Sequence, residues 1–85
     1  MTSAIKKAEK SYVVFVLAKE GEKTNQWVVL SIHDTVLGHV AWFGRWRQYT
    51  FSPQPNTTYS WGCLMEIANF LQGKNQEHRK LGFSA

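Results

Sequence analysis

Between Ser11 and Ser52 turn signals cut the chain into four short segments rich in Val and aromatic residues, and a single stripe of helical period follows them. That order constrains the fold more than any other feature. Consecutive strands with short connections form hairpins, and one helix covers only one face of the sheet they build. Ser11 to Lys19 is apolar on both alternating sets, which suits a strand buried on both faces, or one packed on the helix on one side and on a partner on the other. Gln26 to His33 follows a charged turn at 20–25, Val36 to Phe43 follows Asp34-Thr35, and Trp46 to Ser52 completes the set. Pro53 and Pro55 then end the sheet, because proline donates nothing to a ladder.

Only Gly44 and Arg45 separate the third and fourth segments, and a two-residue loop that opens on Gly predicts a type II′ hairpin. In that register Phe43 lies opposite Trp46, Trp42 opposite Arg47, Val40 opposite Tyr49 and Gly38 opposite Phe51. One face then carries Gly38, Val40, Trp42, Arg47, Tyr49 and Phe51 and packs on the core. The other carries His39, Ala41, Phe43, Trp46, Gln48 and Thr50. Downstream, Ser60 suits an N-cap. Cys63, Leu64, Ile67, Ala68 and Leu71 share one helical stripe, with Glu66 and Asn69 facing away and Gly73 at the C-cap position. The expected architecture is α+β: a four-stranded antiparallel meander with one C-terminal helix packed on one face. Residues 1–10 form a flexible basic N-terminus, 11–73 the single domain, and 74–85 a polar tail, although the helix can also continue through Glu77-His78-Arg79-Lys80.

Eighty-five residues, 44% hydrophobic and 14% aromatic, support one small core. A domain of that size buries only about two-thirds of its unfolded surface, so association with a second copy is expected to supplement it. The single cysteine, Cys63, cannot close an internal disulfide, and no Cys/His cluster has zinc spacing. The first ten residues hold no apolar run that would make a signal peptide, and the longest apolar run, Tyr12 to Ala18, is far short of the roughly 20 residues of a membrane span. No metal, cofactor or membrane contact is expected, and the setting expected is a reduced cytoplasm.

Chemistry concentrates at 42–51, where five aromatic residues and two arginines fall within ten positions. From Thr35 to Met65 there is no acidic residue, so Arg45 and Arg47 have no nearby carboxylate in the sequence, in a chain of net charge +4. Arginine beside aromatic rings suits a phosphate-bearing ligand: rings stack on bases while guanidinium groups hold phosphate oxygens. The expected ligand-binding residues are Arg47, Arg45, Trp46, Trp42, Phe43, Tyr49 and His39. For Trp42, Arg47 and Tyr49 a structural role weighs equally, since their face points at the core and cross-strand pairs stabilise hairpins by about 0.2–1 kcal/mol. No enzyme is expected. His33, His39 and Asp34 have no spacing that assembles a catalytic group, and Cys63 sits on the apolar stripe, where a small buried hydrophobe is the usual outcome.

The run from Leu37 to Pro53, followed by Cys63-Leu64-Met65-Glu66-Ile67-Ala68-Asn69-Phe70, resembles a family of small phage and prophage proteins. Their shared pattern is L-G-x-V-x-W-(Y/F)-G-x-W-R-x-Y-x-F-x-P with a C-L-x-(D/E)-I-A-x-F helix behind it, and the resemblance spans residues 27–72. It implies a bacteriophage or mobile-element origin and action in the host bacterial cytoplasm, and it carries no activity with it. The family often has proline at the position of Arg45, which makes that arginine particular to this chain. Two functions follow as expectations. In the first, the aromatic and arginine surface binds nucleic acid or a nucleotide-type ligand, such as a host defence signal that it sequesters. In the second, the same surface docks on a host enzyme or defence factor and inhibits it, since Trp, Tyr and Arg also dominate protein interfaces.

Overall fold

The computed structural model describes residues 11–81. Strands β1 (Val13–Glu20), β2 (Asn25–Ser31), β3 (Val36–Phe43) and β4 (Gln48–Pro53) form one antiparallel sheet in the order β1-β2-β3-β4, and helix α1 (Trp61–Lys80) packs on one face of it. The α+β meander expected from the pattern is therefore the fold. The expected basic N-terminus at 1–10 lies outside the described residues, as do positions 82–85.

Alternation along each strand divides the residues between the two faces. Val13, Phe15, Trp27, Val29, Val40, Trp42, Tyr49 and Phe51 face the helix, and Val29 and Val40 are fully buried. One irregularity adds to this core. The register shifts between β2 and β3 at Val29/Leu30, leaving Leu37 as the extra residue of a bulge, and Leu37 is buried beside Gly38. Gly38 is required by a close approach. A Cβ there would lie 2.7 Å from the Phe51 ring and would also strike the Ser52 carbonyl oxygen.

Helix α1 starts where the sequence places it: the Ser60 hydroxyl accepts the Cys63 N–H at 3.1 Å. Its end differs. Gly73 does not terminate it, and the expected tail from Lys74 is helical as far as Lys80, with Leu81 as the C-cap. A glycine inside a helix costs about 1 kcal/mol, and contacts beyond it offset that. The Lys74 ammonium lies 5.1 Å from the Trp27 ring centre, and the buried His78 ring lies 4.3 Å from that of Trp42. The stripe that meets the sheet is also rotated. Leu64 and Ala68 are exposed, whereas Phe70 stacks on Phe15 with centroids 3.9 Å apart and meets Trp27 edge-on at 5.2 Å.

The helix is tied to both edge strands. Glu66, expected to face away, accepts the N–H groups of Tyr12 at 2.7 Å and Val13 at 3.4 Å at the start of β1. Asn75 accepts the Tyr49 N–H of β4 at 2.7 Å. Each edge thus spends outward donors on a helix side chain. Gly38→Ala is expected to destabilise the protein by about 1–3 kcal/mol through overpacking, read as a fall in the urea midpoint without a change in slope. An unchanged midpoint would show that Phe51 and the β4 backbone yield freely.

Candidate functional site

The turn between β3 and β4 is longer than its Gly suggests. Phe43 pairs with Gln48, Trp42 with Tyr49, Val40 with Phe51 and Gly38 with Pro53, which leaves a four-residue loop, Gly44-Arg45-Trp46-Arg47. The expected type II′ loop is replaced by overlapping turns. Phe43 O accepts both the Trp46 N–H at 3.1 Å and the Arg47 N–H at 2.9 Å, and Gly44 O accepts the Arg47 N–H at 3.2 Å. The left-handed backbone falls at Arg47 (φ 55°). A loop of four residues built on a right-handed turn must reverse its twist at its last residue to rejoin the strand, whereas a II′ turn does so at its first.

The register moves by two residues, an even number, so the faces expected for Tyr49 and Phe51 hold. Arg47 and Trp46 change role: both leave the strand for the loop. Arg47 is exposed and does not sit over Trp42 on the core face, and the expected opposition of Phe43 and Trp46 becomes a ring contact within the hairpin tip. Their centroids are 4.9 Å apart at 79°, with Trp46 62% and Phe43 39% exposed. Arg45 is also exposed. Among the described residues the ion pair found joins Lys74 to Glu77 at 3.4 Å, and none holds Arg45 or Arg47. The tip is therefore two cations beside two accessible rings.

The other expected site residues lie elsewhere. Trp42 and Tyr49 point to the helix-covered side, where their rings meet edge-on at 5.3 Å and His78 covers them both. The Tyr49 hydroxyl accepts the Asn25 N–H at 3.1 Å. These two rings hold the hairpin to the helix, with Trp42 partly buried beneath His78. His39 is exposed near the middle of the uncovered face, opposite Val28 and Ser52, away from the tip.

One feature beside the tip is not legible in the sequence. An open groove of about 600 Å³ runs between β4 and α1, lined by Trp46, Gln48 and Phe51 on one wall and Leu71, Gln72 and Arg79 on the other. Arg79 reaches it because the helix continues past Gly73 and does not give way there to the expected polar tail. Its period was the available signal, since 71, 75 and 79 repeat every four residues. Groove and tip share Trp46, so stacking surface, amide groups and guanidinium groups form one continuous patch.

The fold and this patch together define a small α+β module that presents a cationic, aromatic hairpin beside an open groove. No family model matches the chain, and neither the curated proteins nor the solved structures contain a match. No helix among the described residues is long and apolar enough to cross a membrane. Arg47→Gly is expected to stabilise the protein by about 1 kcal/mol, because a non-Gly residue in the left-handed region costs about 1–2 kcal/mol. Arg47→Ala keeps that strain and should leave the urea midpoint nearly unmoved. If both variants are clearly less stable than the wild type, the Arg47 side chain holds the hairpin together.

Proposed function

We propose that this chain is a non-enzymatic, phage-type binding protein of the host bacterial cytoplasm that acts by occupying a phosphate-bearing ligand, with a single nucleic-acid strand as the ligand that suits it best. The observation that carries this is the exposed, unpaired set at the hairpin tip: Arg45 and Arg47 beside Trp46, with Arg79 across the adjoining groove. An exposed indole offers a stacking platform worth about 1–3 kcal/mol per base, and guanidinium groups take phosphate oxygens in a two-pronged grip. The groove favours a strand over a free nucleotide. Small-molecule sites bury most of their ligand in a concave pocket, while this groove is open along its length and suits a backbone that passes through. Sequestration of a nucleic-acid or nucleotide-type host defence signal is the biological role that matches such occupancy, and at least a dimer is part of the same reading.

One feature favours inhibition of a host protein instead: the Phe43–Trp46 pair protrudes from the sheet, and aromatic knobs of this kind anchor protein interfaces by filling a partner's pocket. Salt separates the two. Anisotropy of a labelled single-stranded oligothymidylate should show affinity that falls steeply as salt rises. Arg45→Ala combined with Arg47→Gly should reduce the slope of log K against log salt by about 1.4, since each lost phosphate contact on a single strand removes about 0.7. Trp46→Ala should weaken binding by roughly 5- to 100-fold, the equivalent of one lost base stack. An oligonucleotide that does not bind at low salt, or whose binding ignores salt, overturns the nucleic-acid reading and leaves the protein partner.

A further inference from the structure

The sheet face opposite α1 is the least charged surface of a basic chain. By alternation it carries Val14 and Val16 from β1, Val28 and Leu30 from β2, Val36, His39, Ala41 and Phe43 from β3, and Gln48, Thr50 and Ser52 from β4. Val14 and Val16 are 46% and 44% exposed, far more than aliphatic side chains on a sheet retain once both faces are covered. Of the strand residues that alternation assigns to this face only Lys19, at one end, carries a charge. Contiguous apolar surface of this kind marks a contact area.

We infer that this face is where two copies of the chain meet, sheet against sheet, in a closed two-fold dimer. It rests on the expectation of at least a dimer stated above and not on the ligand. Three observations select a second copy. With only Lys19 at one end, the face has little charge with which to attract a nucleic acid or an oppositely charged protein, whereas a second copy brings the same aliphatic rows and keeps its guanidinium groups at the tip and the helix side. The alternative route of self-association, strand pairing at an edge, is interrupted at part of each edge: Glu66 occupies the donors at the start of β1, Asn75 occupies that of Tyr49, and Pro53 has none to give. The size also fits. Four strands about 4.8 Å apart and about six residues long cover roughly 400 Å² in projection, and pleated side chains expose more than their projection. That approaches the lower end for a specific interface, roughly 600 Å² per partner, so the dimer exchanges with monomer as concentration changes. Packed faces of two twisted sheets interdigitate at about 10 Å, and the two-fold stops growth at two copies.

His39 sits near the middle of the face on an inner strand, one strand in from the β4 edge, and supplies the test. Sedimentation velocity of the full chain, from low micromolar to the highest soluble concentration, should show a shift from one to two copies. His39→Glu sets like charges into the buried centre and should weaken association at least about tenfold. His39→Val should strengthen it, and circular dichroism of both variants should remain native. A wild-type chain that stays monomeric throughout, as it would if another part of the chain or a different protein covers this face, overturns the proposal. So does a His39→Glu variant that dimerises as before, which would point to edge or tip contacts. Oligothymidylate anisotropy on the same samples keeps the two readings apart: binding by a monomeric wild type sinks the dimer alone, and a dimer that binds no oligonucleotide sinks the nucleic-acid reading alone.

Discussion

The structure depends on how one helix covers one face of a four-stranded sheet and ties down both of its edges. Phe70 stacks on Phe15 and meets Trp27 edge-on, Ile67 is buried against the sheet, and His78 closes the far end over Trp42 and Tyr49. Apolar burial alone would let such a helix slide along a pleated surface, because the hydrophobic effect has no direction. Glu66 and Asn75 remove that freedom. They are nine positions apart, which is about 13.5 Å along a helix at 1.5 Å per residue. Three inter-strand spacings of about 4.8 Å amount to nearly the same width, so an obliquely laid helix reaches β1 with one side chain and β4 with the other. The same two hydrogen-bonded contacts fix the helix across the sheet and occupy donors at one point of each edge.

The hairpin tip depends on this cover. Trp42 and Tyr49 are held between strands and helix, so β3 and β4 remain paired up to Phe43 and Gln48 and the strain of the turn falls on Arg47. Asn and Asp tolerate a left-handed backbone because their short polar side chains bond locally, and the other two such non-glycine residues among the described ones are Asp34 and Asn56. Arginine has no such relief. A strained arginine at an exposed turn, beside Arg45 and the Trp46 ring, is the kind of local cost that recurs at binding sites.

Two surfaces of opposite chemistry result. The tip, the outer side of β4 and the last turns of α1 carry guanidinium groups, amides and an exposed indole around an open groove. The uncovered sheet face carries aliphatic rows with a single charge at one end. Separation of this kind keeps the guanidinium groups of a small basic module away from its apolar sheet face. Cations facing each other across an apolar interface would cost several kcal/mol.

The elements and their order were legible in the residues because they are local properties. Alternation marks strands, proline stops them, Ser60 caps a helix, and the faces of Tyr49 and Phe51 survive a register change of two because the side-chain period is two. The absence of acidic residues between Thr35 and Met65 likewise foretold that Arg45 and Arg47 would stand uncompensated. What remained hidden was set by contacts between distant parts of the chain. Gly44 alone signals a two-residue loop, but the pairing of Trp42 with Tyr49 under His78 makes it four residues and moves Arg47 off the sheet. Gly73 alone signals a helix end, but Lys74, Asn75 and His78 gain partners across the sheet and carry the helix to Lys80, bringing Arg79 to the groove. Local sequence thus determined which segments are strand and helix and which cations go unpaired. Tertiary packing decided where each turn and helix ends, because a glycine's preference of about 1 kcal/mol is outweighed by a few aromatic and hydrogen-bonded contacts from elsewhere in the chain.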